Sequence, residues 1–511
     1  MTAEDAKISI IIGITGHRTL RECDVPAVAE SVRSELLRIR SAYASSPVLL
    51  MTNMAEGADQ LCAGIASELG IGCIAALPFP ADEHRKDFQG EALYRYEDML
   101  KHAALVFPVC ETYDPATDRD QYYLAAGRYL VDHSHVILSL YDGEPPKSIC
   151  GTAAITQYAI DCDRPVIRVV TPSTAEKKHP GRIKKIGNWT NAPEQLMHTE
   201  LFNERVDSLP KNHLDKLIEA ESSDPIMTRI QLQYGSADRI SCDLASKFQH
   251  ILTFLAVLGS IFTLAFLLYD EMELHWLVFF CGIILVMSAV CLLYAKNSRI
   301  HKDFLEYRVL AECLRVQGYL RYAGSETEVQ TLIPWTQRHD TPWIQDALAT
   351  VQIGPKATVK NEIRHKWIES QRDYHLRAEK KNEAAKKRSD MILRIAVVLS
   401  ILFYLAALIF ELFIAGSMPY ESAEKFRTVI KIGVGTFSAA TLFIANFYGK
   451  MSVSRQSDDN RKMSAFYNYV LSNWETLSKE DGFLEKLASE ELIENGNWYS
   501  YRLDDAPDLV L

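Results

Sequence analysis

The sequence lacks any CxxC pair, although it has ten cysteines among its 511 residues. Zinc ribbons need closely spaced ligand pairs, and disulfide scaffolds are short chains dense in cysteine. Several of the cysteines, among them Cys62, Cys73 and Cys281, lie in apolar stretches. We therefore expect reduced cysteines that serve in packing, and no metal site.

An excess of basic residues is also lacking. Lysine and arginine number 55 against 66 aspartates and glutamates, which gives a formal net charge of -11. Proteins that bind a nucleic-acid backbone without sequence preference need the opposite balance, so we expect no nucleic-acid partner. The length exceeds what one ordinary hydrophobic core supports, which predicts two or more domains.

Charge is absent, or nearly so, from four long apolar runs at 251–269, 276–295, 395–416 and 429–449. At about 1.5 Å rise per residue, runs of about 20 residues match a hydrocarbon core of about 30 Å. The first two runs are joined by the short acidic segment DEMELH. Two uncharged runs so closely joined are typical of a transmembrane hairpin, and we predict two such hairpins.

The charged flanks of these runs predict their orientation. Lysines and arginines follow the second and fourth runs and precede the third, whereas the DEMELH loop is acidic. The positive-inside rule places that loop outside the cell, and an even number of spans leaves both termini in the cytoplasm. We expect a multi-pass protein of the inner (plasma) membrane.

Four polar residues of the second hairpin are candidates for a membrane pathway: Glu411, Lys431, Thr436 and Asn446. Glu411 and Lys431 fall near the outer interface, where long side chains reach water at little cost. They form either an interfacial pair or a pore-lining ring in a homo-oligomer. The small residues within 433–440 predict a surface for close helix packing.

Each hairpin is followed by the same kind of segment. Residues 302–320 and 461–477 carry apolar residues at alternating steps of three and four. This spacing predicts two cytoplasmic helices, each with an apolar stripe that needs a partner helix. We interpret the pattern as a duplicated unit of a hairpin and a helix, and residues 361–390 as a charged helix that extends the third span.

The first third of the chain alternates strand and helix patterns. This alternation predicts an α/β Rossmann-like, doubly wound parallel sheet, with ligands bound beyond the carboxyl ends of its strands. The strand candidates are 7–16, 46–54, 71–79, 104–110, 135–143 and 164–172.

Polar turns are predicted at the carboxyl ends of several of these strands. Glycines let backbone amides approach an anion, and arginine, histidine and threonine donate to phosphate. We interpret a break in the first strand after Ile12 as one wall of a phosphate-binding crevice. The candidate ligand-binding residues are Gly13, Thr15, Gly16, His17, Arg18, Glu56, Gly57, Asp59, Asp142, Gly143, Gly151 and Thr152.

The order of these motifs resembles a known family. GITGHR, MAEGADQL, LPFP, EHRKDF, LYDG and CGTAAI follow one another as in the SLOG superfamily, the Rossmann-like group that includes DprA and the cytokinin-activating LOG enzymes. Each hairpin unit is similar to the SLATT type of membrane domain. The resemblance implies recognition of a nucleotide-derived signal by the SLOG-like domain, with the membrane segments as effector in a prokaryotic antiviral or stress pathway.

One departure from the family bears on chemistry. LOG-type hydrolases carry the motif PGGxGTxxE, whereas the matching stretch here is SICGTAAI, with Ile155 in place of the glutamate. Isoleucine cannot act as an acid or a base, so we expect binding without catalysis. Glu56 or Asp59 remains an alternative source of a carboxylate.

Together these patterns predict a membrane effector gated by a second messenger, either a cyclic nucleotide or an ADP-ribose derivative, with no cofactor. Its response is membrane permeabilisation or ion flux. The alternatives are a membrane-anchored nucleotide or nucleoside hydrolase and a ligand-independent membrane scaffold. The predicted domains are a SLOG-like nucleotide-binding domain (1–175), a linker and helical connector (176–240), the first hairpin with its helix (241–330), a cytoplasmic helical region (331–390) and the second hairpin with its helix and tail (391–511).

Overall fold

A computed structural model describes residues 3–172, 179–210, 224–357 and 362–504. Parts of the predicted connector, at 176–178 and 211–223, and the end of the predicted tail, at 505–511, lie outside these ranges. The chain divides into two compact units. The sheet unit comprises Met1–Ser236 and Leu310–Lys360, and the helical unit comprises Ala237–Val309 and Asn361–Leu511.

In its described residues, the sheet unit is built on seven strands in the order β4-β3-β2-β1-β5-β6-β7. All neighbouring strands are parallel except β6 and β7, which are antiparallel. The strands are β1 (Ile10–Gly16), β2 (Val48–Thr52), β3 (Gly72–Leu77), β4 (Leu105–Pro108), β5 (Val136–Tyr141), β6 (Pro165–Val170) and β7 (Ile183–Gly187).

Helices connect the strands and cover both faces of the sheet. Short 3-10 turns lie at Ala3–Ala6, Arg85–Asp87 and Ala415–Ser417. The helices up to the first membrane candidate are α1 (Val25–Ala42), α2 (Ala58–Glu68), α3 (Ala81–His84), α4 (Gly90–His102), α5 (Arg119–Asp132), α6 (Thr152–Asp161) and α7 (Ala192–Asp207). They are followed by α8 (Pro225–Glu271), α9 (Leu277–Asn297), α10 (Ile300–Tyr322), α11 (Val329–Leu332), α12 (Trp335–Asp340) and α13 (Pro342–Ala349).

Alternation of side chains along β1 explains the two layers of the core. Ile10, Ile12 and Ile14 are buried in one hydrophobic cluster with residues of α1 and α2. Ile11 points to the other face and is buried with residues of α5 and α6. Because successive residues of a strand face opposite sides, a run of isoleucine serves both layers at once.

The predicted parallel, doubly wound sheet is confirmed, and each of the six strand candidates contains one strand. β7 was not predicted. Its sequence IKKIG is short and carries two exposed lysines, Lys184 and Lys185. β7 lies at the edge of the sheet, where charged side chains are common and apolar alternation is weak, so the pattern resembled a loop.

Among the residues that the structure describes, four helical stretches are long and apolar enough to cross a membrane: Pro225–Glu271, Leu277–Tyr322, Arg364–Ser417 and Tyr420–Ser472. The four apolar runs predicted as spans lie within them. The helices of the second half are α14 (Ser370–Ile409), α15 (Tyr420–Lys450), α16 (Val453–Ser472), α17 (Trp474–Leu477) and α18 (Phe483–Leu503), with π-helical segments at Arg364–Glu369 and Phe410–Ile414.

From Ser370 onward, the charged segment predicted at 361–390 extends the third span without interruption, because α14 runs from Ser370 to Ile409 as one helix. Position 361 lies outside the described residues. The chain therefore continues as a single helix from charged sequence into an apolar run. A helix of this kind transmits a displacement along its axis better than a flexible linker does.

Small residues set the packing distance of α15 in the helical unit. A Cβ added to Gly433 would lie within 3.0 Å of the Phe403 ring, on α14. A Cβ added to Gly435 would lie 2.7 Å from Cδ1 of Leu267, on α8. Close packing of this kind is typical of small-residue surfaces in membrane helices, as the sequence indicated.

We expect Gly433→Ala to lower the thermal unfolding temperature of the full chain in detergent by several degrees. The added methyl overlaps the Phe403 ring, and overpacking costs about 1–3 kcal/mol. Gly282→Ala is the matched control, because nothing lies within 4 Å of the methyl it adds in α9. Equal unfolding temperatures for the two variants would contradict the packing described for α15.

Candidate functional site

The sheet order fixes where a ligand site is to be sought. Strands β2 to β4 lie on one side of β1 and β5 to β7 on the other, so the winding reverses between β1 and β5. In open α/β sheets, ligands bind in the crevice beyond the carboxyl ends of the strands at such a point. The candidate site is therefore the crevice at the carboxyl ends of β1 and β5.

One wall of the crevice is formed where the end of β1 meets the turn before α2. The backbone N–H of Ala58 donates to the carbonyl of His17 over 3.0 Å. Gly57 has φ of +84°, and a Cβ there would lie less than 3.0 Å from the carbonyl oxygens of His17 and Arg18. Only glycine fits this left-handed position, so Gly57 permits the close approach of the two segments.

The opposite wall is formed by the end of β5. The backbone N–H of Asp142 donates to Nε2 of His17 over 3.2 Å, and a carboxylate oxygen of Asp142 lies 3.6 Å from the same nitrogen. Asp142 also accepts a hydrogen bond from the backbone N–H of Glu144 at 2.9 Å. A carboxylate repels phosphate and accepts from hydroxyls, so this wall suits a ribose.

A row of polar residues crosses the sheet beside these walls. Thr15 pairs with Ser139 in the β1–β5 register, and Ser139 pairs with Arg168 in the β5–β6 register. Residues in register point to the same face of the sheet. Ser139 is hydrogen-bonded at 2.7 Å to the hydroxyl of Thr156, which anchors the first turns of α6 to this row.

Arg168 was not among the residues singled out from the sequence, yet it is the cation best placed for an anion. Its guanidinium lies so close to Gly143, where φ is +86°, that a Cβ on Gly143 would overlap it. Its Cζ lies 5.3 Å from the centroid of the Tyr141 ring. Among the residues that the structure describes, none forms an ion pair or hydrogen bond with the side chain of Arg168, and its Nε is buried. A half-buried guanidinium without an acceptor favours binding of an oxyanion.

The first turn of α6 adds backbone donors to the same region. Gly151 is the residue before the helix, and Thr152 is its first residue. The leading amides of a helix have no partner within the helix, and the helix dipole favours negative charge there. Gly151 and Thr152 therefore stand where the sequence placed them, at a helix N-terminus that follows β5.

An aromatic cluster, also missed from the sequence, lies beyond the β1 wall. We call Phe79, Tyr113, Tyr122 and Tyr123 the aromatic wall; Phe79 lies 5.2 to 5.7 Å, centroid to centroid, from each of the three tyrosines. The guanidinium of Arg18 lies 4.8 Å from the centroid of Tyr123. Phe79 is buried, whereas the three tyrosines are partly exposed. Exposed aromatic and guanidinium faces stack on nucleobases.

A polar network holds the aromatic wall in place. The guanidinium of Arg119 forms ion pairs with the carboxylates of Glu83 at 2.9 Å and Asp87 at 2.7 Å. The Cζ of Arg119 lies 4.3 Å from the centroid of the Phe79 ring. The hydroxyl of Tyr123 donates to Asp87. The EHRKDF motif thus supplies the acids that orient α5. The EHRKDF motif was visible in the sequence. Its partners Arg119 and Tyr123, however, lie more than 30 residues away along the chain, so the sequence did not show that they contact it.

Asp59 is buried at the base of the β2–α2 turn. One of its carboxylate oxygens accepts from the hydroxyl of Thr52 at 2.8 Å and from the backbone N–H of Ala55 at 3.3 Å. Burial raises the pKa of this carboxyl from 3.8 to about 7, despite those hydrogen bonds and the charge of Arg18. A carboxyl that titrates near neutrality is able to hold or take up a proton at physiological pH.

Two predicted residues lie elsewhere than the crevice wall. The expected break after Ile12 is wrong, because β1 continues to Gly16. A Cβ on Gly13 would lie within 2.9 Å of Leu130, Ser134 and Ile137, so this glycine lets α5 pack against the sheet. Glu56 is exposed on the turn before α2. The structure thus brings together Gly16, His17, Arg18, Gly57 and Asp142, but it does not place Gly13 in the crevice.

Ile155, which stands where the LOG-type glutamate would fall, is buried in the core beneath α6. A Cβ on Gly127 would overlap the Ile155 side chain, so α5 and α6 pack closely at this point. The position therefore serves packing between two helices.

The membrane candidates of the second hairpin form separate contacts. Glu411 pairs with Arg427 through two hydrogen bonds of 2.6 and 2.9 Å, and Lys431 pairs with Glu271 at 3.2 Å. Glu411 and Lys431 are therefore each paired with a third residue and not with one another. The hydroxyl of Thr436 is buried, and Asn446 lines a cavity between helices.

Comparison with known proteins gives little further guidance. No family model and no curated protein matches the sequence. Among solved structures, the chain is similar to DNA processing protein A (DprA) from Streptococcus pneumoniae at 16% identity and a TM-score of 0.25. The match covers 34% of this chain and 54% of that one, so it spans about half the length of DprA. The function has to be inferred from the residues of the chain itself.

Proposed function

We propose that the sheet unit binds a nucleotide-derived second messenger and that its occupancy changes the arrangement of the membrane-spanning helices. The observation that carries the proposal is Arg168, a half-buried arginine without an acidic partner among the described residues, at the edge of the crevice. Keeping a guanidinium in such a place is costly unless an anion compensates for it. The resemblance to SLOG domains and SLATT hairpins points in the same direction.

The walls of the crevice suit the three parts of a nucleotide. Arg168 and the first amides of α6 favour a phosphate. Asp142 accepts from ribose hydroxyls, and the partly exposed tyrosines of the aromatic wall, with Arg18, offer a surface on which a purine stacks. A cyclic nucleotide or an ADP-ribose derivative has all three parts, so we take these as the candidate messengers.

The sheet unit also contains a route away from the crevice. Beyond the end of α6, the Arg164 guanidinium donates to Asp346 in α13 at 2.5 Å and to the carbonyl of Asp132 at 3.1 Å. Nearby, Nε2 of His133 lies 2.7 Å from Oε1 of Glu328. Residues 328–349 follow α10, the helix after the first hairpin. A movement of α6 on binding is thereby passed to the segment that joins the two hairpin units.

The size of the conformational shift is limited by how much more tightly the ligand binds one arrangement than the other. A ligand shifts an equilibrium between two arrangements only by the ratio of its affinities for them. A shift from 1:99 to 99:1 needs a preference of about 10⁴, or about 5.5 kcal/mol. The membrane response, which we propose is permeabilisation or ion flux in a homo-oligomer, therefore requires several contacts that form in one state alone.

The test uses the full chain in detergent and isothermal titration with ADP-ribose, cyclic ADP-ribose and a panel of cyclic nucleotides. We expect micromolar binding of at least one compound and binding about 10- to 100-fold weaker for Arg168→Ala, since a hydrogen bond to a charged group contributes about 1.5–3 kcal/mol. Arg33→Ala is the control, because it removes an equal charge that pairs with Glu68 on the surface.

Liposomes containing the full chain provide the second readout. We expect dye leakage only when the bound compound is present, and a weaker response for Arg168→Ala at the same concentration. Absence of binding across the panel would refute the sensor, whereas binding without leakage would refute the coupling to the membrane.

The geometry of Asp59 favours one alternative function, a membrane-anchored nucleotide hydrolase. A buried carboxyl with a pKa of about 7, on which the charge of Arg18 also acts, is suited to general acid or base chemistry.

A further inference from the structure

We infer that the helical unit binds one acyl chain of an anionic phospholipid in a cavity between α8, α9 and α15. The inference depends on the spans crossing a bilayer and is independent of the proposed messenger. The cavity has a volume of about 400 Å³. Its wall is mostly apolar, with leucines and phenylalanines such as Leu255, Phe262 and Phe447.

The depth of the cavity matches one leaflet. On α8 its lining extends from Leu252 to Thr263. At about 1.5 Å rise per residue those eleven steps span about 16 Å, close to half of the roughly 30 Å hydrocarbon core. The cavity therefore reaches from one membrane surface to the middle of the bilayer, which is the depth that a phospholipid chain occupies.

The charge at its mouth indicates the headgroup. Lys450, the last residue of α15, lies at the end of the cavity lining. Arg502, whose guanidinium donates a hydrogen bond of 2.9 Å to the carbonyl of Lys450, is itself buried, which leaves Lys450 as the cation for the headgroup. A cation at a membrane surface favours an anionic lipid.

Water fits the cavity less well. Water needs two to four polar partners each, and the lining offers few such groups, among them Thr263, Ser288 and Asn446. An acyl chain is narrow, apolar and abundant in a bilayer.

The experiment is native mass spectrometry of the full chain, purified in detergent and titrated with palmitoyl-oleoyl phosphatidylglycerol or with phosphatidylcholine of the same chains. We expect one tightly retained phosphatidylglycerol per protomer and at least fivefold weaker retention of phosphatidylcholine. Lys450→Gln should abolish that preference. Ala256→Phe, which fills the cavity lining, should lower retention of both lipids at least tenfold.

Two control variants match these changes away from the cavity. Lys425→Gln removes a charge that pairs with Glu421 on the exposed surface of α15, and Leu402→Phe enlarges an exposed side chain on α14. Both should retain lipid like the unchanged protein. Thermal unfolding reports whether each variant folds, and Ser288→Leu replaces Ala256→Phe as the filling variant should the latter fail to fold.

If a filling variant is folded and still retains phosphatidylglycerol as the unchanged protein does, the assignment of the lipid to this cavity is overturned. Equal retention of the two lipids by the unchanged protein would overturn the role of Lys450. Loss of lipid together with gain of a stable dimer in a filling variant would show that a second copy, and not a lipid, covers this surface.

Discussion

Gly57→Ala is expected to disrupt the crevice and abolish binding of the proposed messenger. The backbone there has φ of +84°, a conformation that costs a residue with a Cβ about 1–2 kcal/mol. The new methyl would also overlap the carbonyl oxygens of His17 and Arg18, which are backbone atoms and cannot rotate away. Overpacking adds about 1–3 kcal/mol, so local stability should fall by about 2–5 kcal/mol.

Hydrogen exchange at the amides of β1 and α2 measures this loss directly, because it reports the free energy of local opening. Isothermal titration with the compound identified for the unchanged protein measures the loss of binding. Since the overlap displaces the backbone of Arg18, we expect the affinity to fall below detection even where the chain remains folded.

Gly70→Ala separates conformational strain from steric overlap. Gly70 also has a positive φ, +68°, but nothing lies within 4 Å of the Cβ that alanine would add. We expect a loss of about 1–2 kcal/mol at the end of α2 and unchanged binding. Similar losses of stability and affinity in the two variants would show that the contact between the β1 end and the β2–α2 turn does not shape the site.

The sheet and the membrane-spanning candidates were predictable from sequence because their signals are local. Runs such as ISIII and uncharged stretches of 20 residues report burial directly, with no knowledge of partners. Gly13 was misread for the same reason. A glycine in a strand signals either a turn or the close approach of another element, and only the position of α5 distinguishes the two.

Arg168 and the aromatic wall were not predictable, because their roles arise from strand order. Arg168 follows PVI in a buried strand, and nothing in RPVIRVV indicates that its guanidinium reaches Gly143, beyond the end of β5. Likewise, nothing in the sequence around Arg427 indicates that it forms two hydrogen bonds with Glu411. Register and helix packing bring such pairs together, and a single sequence does not record either.

Asp59→Asn is expected to stabilise the protein at alkaline pH. The folded-state pKa of Asp59 is raised from 3.8 to about 7 by burial. The folded state therefore holds this proton more tightly than the unfolded state does. The resulting stability is fully present below about pH 3.8 and is lost as the pH rises through about 7. At pH 8 the ionised carboxylate costs at most about 4 kcal/mol, at about 1.36 kcal/mol for each pKa unit.

Asparagine keeps the oxygen that accepts from Thr52 and Ala55 but carries no charge. The variant should therefore exceed the unchanged protein in stability by up to about 4 kcal/mol at pH 8, with the difference vanishing near pH 4. Hydrogen exchange in β2 and α2, measured from pH 5 to 8 and corrected for the intrinsic rate, checks this course. A difference that does not change with pH would contradict the buried, proton-holding state of Asp59.

Two histidines contribute pH dependence of the opposite sign. Burial lowers the pKa of His84 and of His135 from 6.5 to about 4. Between those values the unfolded state binds protons that the folded state does not, so their contribution to stability is lost as the pH falls from about 6.5 to about 4. Both histidines are present in the unchanged protein and in Asp59→Asn. Their contributions therefore cancel when the free energies of unfolding of the two proteins are subtracted.

The same variant separates the two proposed functions. A residue kept at a stability cost of several kcal/mol is more easily explained by a role in the site than by folding. If the protein is a sensor, neither form converts the messenger to product at pH 7, and both bind it, because an amide oxygen still supports the β2–α2 turn. If it is a hydrolase, the unchanged protein releases product and Asp59→Asn does not, since asparagine cannot exchange a proton with the substrate or with water. Product analysis after prolonged incubation of both full-length proteins, with Gly70→Ala as a control that leaves the carboxyl in place, decides between the two.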